Sequence, residues 1–345
     1  MKKILLYLAL IIFSLTGCVS NKNKLYLLNF GDYINPEIIK EFEKENNCEV
    51  VLDVFEANED AIPLITRDSQ YDLVCLSEYA IEQLLPNNIF EKLDKTKLDN
   101  AFYSIYENYK EYMAEIDNNE YALPYFWGTQ GIVYNKTKLL ENNLPLPTKW
   151  ADLWNEKYKN NLIMSNSLRD LYTCAQYKLG YSMNTKKEQE IINCTNELIK
   201  QKPLVQCYVT DQIKEKILSG EGLIAPLLDG DMQFILDSKP EDDIEFIIPE
   251  GKLSLYIDNW LMLKSAKNKD LAYTFLDYIC KPEIANKNAE YVGYQSCNKA
   301  VDGDDYLLMF QQNKYIDKHT SEEIERDLGE ALKLYNAGFF SIKSE

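Results

Sequence analysis

Residues 253–263, LSLYIDNWLML, read as a buried strand that carries an acid at its centre. The alternation and the aromatic content favour a strand over a helix. Asp258 stands between Tyr256 and Trp260, and no basic residue follows it before Lys264. A carboxylate in such surroundings is costly to bury unless a cation meets it. Two sources of that cation are open at this point: a Lys or Arg arriving from elsewhere in the chain, or a ligand.

Working outward, the chain from Leu25 alternates strand and helix: LYLLNF, a helix opened by Asn35-Pro36 with Ile38, Ile39 and Phe42 on one face, CEVVLDVF, and then YDLVCL running into Ser77. Asn before Pro is a strong helix start, and Ser77 is placed to cap a helix beginning near Tyr79. Near-continuous apolar strands between helices indicate a parallel sheet covered on both faces. Ligands gather at the strand ends of such sheets and at the turns into helices. Phe30, Asp32 and Tyr33 lie at one such end, and Ser77 and Tyr79 at another.

After residues 122–136, ALPYFWGTQGIVYNK, the alternation starts afresh through NLIMS, LVQCYV and GLIAPLL, which gives a second lobe. No Gly-rich or Ser-rich linker separates the halves, so the lobes are intimately connected. The stretch at 253–263 supplies a second connection and makes Asp258 a cleft residue. The expected division is residues 25–130 plus about 258–300 in lobe 1, and 131–257 plus about 301–345 in lobe 2. The chain is expected to close on an amphipathic helix from Ser321 to about Ala337.

The first residues stand apart from this fold. Lys2 and Lys3 precede an apolar run from Ile4 to Phe13 and a small-residue site, Ser14-Leu15-Thr16-Gly17-Cys18. That pattern is a secretory signal over residues 1–17. Its Leu-Thr-Gly-Cys ending looks like a bacterial lipobox, which implies lipidation of Cys18, a tether over 18–24 and a membrane-anchored lipoprotein outside the cytoplasm, periplasmic or at the cell surface.

The formal charge of −18, from 55 acids against 37 bases, argues against nucleic-acid binding. It suits a cationic small molecule. With a single histidine, His319, and no C-x-x-C, neither a zinc site nor a Cys/His nucleophilic pair has material to be built from. No phosphate-binding Gly loop and no Ser-His-Asp set occurs. Paired carboxylates for glycoside hydrolysis are not singled out by any spacing. No catalytic residue, cofactor or metal is therefore assigned.

Seven stretches in order resemble the polyamine-binding receptors of ABC importers, the spermidine/putrescine-binding proteins, over essentially the whole mature length. They are YDLVCLSEY at 71–79, LPYFWG at 123–128, WADLWNEKYK at 150–159, KLGYSMN at 178–184, YID at 256–258, AKNK at 266–269 and GYQSCN at 293–298. The resemblance implies a two-lobed periplasmic-binding-protein fold of type II, with mixed sheets flanked by helices. It also implies a monomer that closes on a polyamine and delivers it to a permease and its ATPase. In these receptors aromatic side chains box the methylene chain and carboxylates hold the ammonium ends.

Carried over by position, Tyr33, Ser77, Tyr79, Asp258 and Tyr294 match the family, and Phe30 and Tyr256 replace tryptophans. Asp170 falls where the family has Glu, and Glu325 where the spermidine receptor has Gln. Asp32 and Asp231 resemble acids of the putrescine type, Ser167 replaces an acid of the spermidine type, and Leu228 removes one aromatic wall. The balance favours putrescine slightly over spermidine. The alternatives are a same-fold receptor for another small cation or a metal, and a carboxylate glycosidase.

Overall fold

The computed structural model describes residues 23–67, 69–98, 101–105, 107–117, 119–238, 243–301 and 319–344. The signal segment and Cys18 lie outside the described residues. The first strand already begins at Asn23, within the expected tether.

The first half of the chain runs β1 (Asn23–Phe30), α1 (Pro36–Asn46), β2 (Cys48–Phe55), α2 (Asn58–Thr66), β3 (Leu73–Ser77), α3 (Glu78–Leu84), α4 (Ala101–Ser104), α5 (Glu107–Asp117) and β4 (Ala122–Gly128). A second series follows: β5 (Gln130–Asn135), α6 (Lys136–Glu141), β6 (Leu162–Ser165), α7 (Leu168–Lys178), α8 (Glu188–Gln201), β7 (Val205–Val209), α9 (Ile213–Ser219), β8 (Ile224–Leu228), α10 (Asp229–Ser238) and β9 (Ile244–Ile247). The chain ends with β10 (Gly251–Met262), α11 (Lys269–Ile279), α12 (Pro282–Val292), β11 (Gln295–Ser296), β12 (His319–Ile324) and α13 (Leu332–Ser344).

Two mixed sheets result, in the orders β11-β4-β10-β3-β1-β2 and β7-β6-β8-β5-β9, with β12 beside β10. The fold is thus two-lobed α/β. β1 pairs parallel with β2 and β3, whereas β10 enters antiparallel between β3 and β4. Asn35 caps α1 as its sequence foretells, accepting from the Glu37 amide at 2.9 Å. Every residue of β3 is buried, because helices cover both faces of the sheet and leave no polar side to the strand.

The chain passes between sheets at Gly128–Gln130 and again between Ile247 and Gly251. β10 then spans both cores: Leu253 and Leu255 pack with Val133, Ile163 and Leu227, while Ile257, Trp260 and Met262 pack with Leu27, Leu73 and Phe275. Asp258 lies at the change from one core to the other. A register irregularity between Asp258 and Asn259 on the β4 side marks the same place, as bulges do where a side chain must be re-aimed.

One expected element is corrected. Residues 319–324 form a strand parallel to the first half of β10, and the closing helix starts at Leu332 instead of Ser321. Pairing with a strand about 70 residues away overrides the helical look of Ser-Glu-Glu-Ile, and Lys252 of β10 fixes it by donating to Glu323 at 2.7 Å. Cys75, Cys174, Cys194, Cys280 and Cys297 are buried thiols, and burial pushes each of them above the ordinary thiol value.

Candidate functional site

Asp258 is 5% exposed. One of its oxygens accepts from Tyr33 Oη at 2.7 Å, the other from Ser77 Oγ at 2.6 Å. Tyr33 follows the end of β1 and Ser77 ends β3, so two neighbouring strand ends deliver both hydroxyls to the middle of β10. Burial pushes the Asp258 carboxyl up to about 6 from the ordinary 3.8, although both hydroxyls pull the other way. Among the described residues its hydrogen-bond partners are these neutral groups, and no Lys or Arg among them supplies the cation that the sequence leaves missing.

Ser77 stands at the N-cap position of α3 but makes no capping bond there. The expectation that it caps the helix is corrected: its hydroxyl is taken by Asp258. Asn58, which the sequence did not single out, fixes this geometry. Its Nδ2 donates to Ser77 Oγ at 2.9 Å and to Tyr79 Oη at 3.1 Å, and its Oδ1 accepts from the Ser77 amide at 3.1 Å.

Aromatic rings continue from this acid across the cleft. Phe30 meets Tyr33 edge-on at 5.5 Å, Tyr33 meets Tyr294 at 5.2 Å, and Tyr294 meets Tyr256 at 6.3 Å. Gly230 in the first turn of α10 makes room for the Tyr294 ring, since a Cβ there would lie 2.3 Å from it. Gly230→Ala is therefore expected to displace Tyr294 and to cost about 1–3 kcal/mol of stability by overpacking. Chemical denaturation checks this, and an unchanged midpoint would contradict it.

Four further acids join this group in differing states. Asp170, on the first turn of α7, accepts from Ser165 Oγ at 3.0 Å, and burial followed by the nearby Glu325 charge raises it to about 6. Asp231 is braced by Lys214 Nζ at 3.0 Å, although burial still leaves it raised. Glu325 reads from sequence as free for a ligand, since the neighbouring Arg326 would not face it, but in the fold it is paired. Its Oε1 lies 3.4 Å from Arg169 Nε, while Arg326 pairs with Glu82 at 2.8 Å. Adjacent residues do not face one another, but a base from another element does.

Asp229, missed from sequence, accepts from the Thr129 amide at 3.0 Å and from Tyr256 Oη at 3.2 Å, and burial raises it to about 7. It thereby ties Tyr256 to the first passage between the sheets. Glu78 is also buried and was also missed. It accepts from the Ile257 amide at 2.7 Å, and burial followed by Glu325 pushes it well above the carboxylate range. No local signal marks Glu78 or Asn58, whereas Asp229 sits at a strand-to-helix turn where a site residue is to be looked for.

Two expected residues lie at the edges of this group. Tyr79 is half-buried, with its ring under the Arg169 guanidinium at 5.5 Å. Asp32 is exposed on the turn after β1, in the left-handed region at φ 51° that Asp tolerates. The group as a whole holds the acids Glu78, Asp170, Asp229, Asp231, Asp258 and Glu325 against the bases Arg169 and Lys214, and burial raises every one of these carboxyls above its ordinary value.

Asp170, Glu325, Tyr256 and Leu228 help to line a space of about 20 Å³, room for about one water molecule. A wider groove of about 490 Å³ on the first lobe, by Lys97, Asp270 and Tyr273, is a different kind of feature. Its Lys97 already pairs with Asp270 at 2.8 Å and lies over Tyr273 at 5.0 Å.

Known proteins share this architecture. The spermidine/putrescine-binding periplasmic protein of Salmonella typhimurium is 28% identical over 333 residues, covering 94% of this chain and 93% of its own. The putrescine-binding periplasmic protein PotF of Escherichia coli is 29% identical over 312 residues, covering 85% and 83%. Among solved structures, the spermidine/putrescine ABC transporter substrate-binding protein PotD of Streptococcus pneumoniae superposes with a TM-score of 0.76 at 29% identity, over 93% of this chain and 98% of that one. A lipoprotein of Treponema pallidum shares the fold with a TM-score of 0.81 at 24% identity, over 93% and 99%. With the model of bacterial extracellular solute-binding proteins matching residues 37–312, the chain belongs to that family of extracytoplasmic transport receptors.

Proposed function

We propose that this chain is the receptor of an ABC importer, which captures a polyamine between its lobes and delivers it to a permease and its ATPase. The observation that carries this reading is Asp258, a buried carboxylate held by neutral hydroxyls beside a run of four aromatic rings. A charged hydrogen bond from an ammonium contributes about 1.5–3 kcal/mol. An aromatic face adds about 0.5–2 kcal/mol when desolvated. The names of the relatives support the same class of ligand. Putrescine is favoured slightly over spermidine, and no catalytic role is assigned to any residue.

Of the ligand set expected from sequence, Phe30, Tyr33, Ser77, Asp170, Tyr256, Asp258 and Tyr294 are proposed to meet the amine directly. Tyr79 and Glu325 act beside Arg169, Asp231 beside Lys214, and Asp32 at the rim. The lobes are proposed to divide as read from sequence, near residue 130 and near 258. The split packing of Leu255 and Ile257 supports this, as does the packing of Tyr335 and Ile342 into the second core. Hinge closure about these crossings is the proposed mechanism. Lipidation at Cys18 would keep the receptor beside the permease as a monomer on the outer side of the membrane.

Calorimetry of residues 21–345 with putrescine, cadaverine, spermidine and spermine tests the reading. A 1:1 complex without turnover is expected for at least one amine, and loss of that complex in Asp258→Ala. Failure to bind any of the four would overturn it.

A further inference from the structure

We propose that Arg326 is a latch that holds the two lobes closed on the amine, a positioning residue for capture that stands outside the amine site. This rests on the polyamine reading and the hinge closure proposed above. Arg326 follows β12, which pairs with the first half of β10, and Leu328 just beyond it packs in the core of the second sheet. Glu82 lies on α3, whose Ala80, Ile81 and Leu84 pack with Leu28 and Leu76 of the first sheet.

The Arg326 side chain crosses between these two halves. Its Nε donates to Glu82 Oε2 at 3.0 Å and its Nη2 to Glu82 Oε1 at 2.8 Å. The Asp327 amide also donates to Glu82 Oε2, at 2.8 Å, and Glu115 Oε2 on α5 lies 3.5 Å from Arg326 Nη1. Two parallel N–H donors on one carboxylate form a fork that fixes direction as well as distance.

Both ends of the fork are anchored. The Arg326 amide donates to Asn184 Oδ1 at 2.8 Å, and Asn184 Nδ2 donates to the Ile324 carbonyl at 2.7 Å. On α3, Glu78 stands one turn before Glu82 and accepts from the Ile257 amide at 2.7 Å, where β10 passes from one core to the other. The Glu325 amide donates to the Leu255 carbonyl at 3.2 Å and so continues the pairing of β12. Successive side chains of an extended chain point to opposite sides. Glu325 accordingly helps to line the space beside Asp170 and Tyr256, while Arg326 meets α3.

With closure by a hinge, parting of the lobes separates Arg326 from Glu82. The two side chains are 36% and 29% exposed, so water replaces the pair as it opens. Such a contact slows opening without locking the receptor. Because it touches no amine, it should act on every amine alike.

Stopped-flow kinetics of residues 21–345 with putrescine and with spermidine test this. Arg326→Gln is expected to raise the dissociation rate of each amine that binds by about fivefold or more, by one factor for both. The association rate should stay within about twofold. Glu82→Gln should give the same change, and the double variant no more than either alone. Arg326→Lys, which keeps the charge and loses the fork, should fall between.

An unchanged dissociation rate overturns the latch, as does a double variant whose effect is the product of the two single ones. An effect confined to one of two amines that both bind overturns it too. Should Arg326→Gln fail to fold, the dissociation rate of Glu82→Gln decides alone. A wild-type chain that binds no amine overturns the polyamine reading instead, and small-angle X-ray scattering of the amine-free chain then decides the latch: a larger radius of gyration in Arg326→Gln supports it, and an equal one overturns it.

Discussion

Asp258→Asn is expected to abolish polyamine binding while leaving the empty protein at least as stable as the wild type at about pH 7.5. The carboxyl ordinarily titrates at 3.8, and burial raises it to about 6 in the folded chain. Because the folded value is the higher one, the folded state binds more protons between those limits. The protonated acid's relative stabilisation is complete below 3.8 and is lost as the pH rises through about 6. Above that, the ionised acid costs the empty protein about 3 kcal/mol, from about two pH units at 1.36 kcal/mol each.

Asparagine carries no such penalty, and its carbonyl oxygen still accepts from one of the two hydroxyls. The other hydroxyl forfeits an acceptor, a loss of about 1 kcal/mol. Removing the charged partner of a buried ammonium costs about 2–5 kcal/mol of binding, which is a hundredfold or more for most of that range. Thermal melts with and without putrescine read both effects. An Asp258→Asn protein that keeps the wild-type ligand-induced shift in Tm would show that the acid does not hold the amine.

Asp258 was legible in the sequence because its isolation is local: an apolar strand with no base before Lys264 states the missing cation directly. The parallel strands of the first lobe were legible for a related reason, since burial on both faces writes itself as unbroken apolar runs such as Leu73–Leu76. What was not legible depends on residues far apart. Ser77 reads as a cap until the strand carrying Asp258 arrives from 181 residues away. Residues 319–324 read as helix until β10 offers them an edge. Glu325 looks free until Arg169 meets it from α7. The resemblance proposes a ligand set by position, but which of those acids are already ion-paired, as Glu325 is with Arg169 and Asp231 with Lys214, appears only in the folded chain.

Affinity for putrescine is expected to fall steeply as the pH drops from about 7.5 to 5. Burial holds Asp258 and Asp170 each at about 6 in the empty protein, so both carry protons at the acid end of this range. The amine, like lysine, stays protonated throughout. Binding two ammonium groups then requires the two acids to release their protons, and the logarithm of the association constant should rise with pH at a slope approaching about two below pH 5.5. The slope should flatten above about pH 7, where both acids are already ionised. The groups facing these carboxyls set the limits of the effect: Tyr33 and Ser77 favour the ionised form of Asp258, Ser165 and Ser167 that of Asp170, and the Glu325 charge opposes both. Calorimetry in two buffers of different ionisation enthalpy counts the released protons directly. Near pH 5.5 more than one proton is expected per putrescine bound; an affinity that stays level from about pH 7.5 to 5, with no proton released, would remove these two acids from the ligand's path.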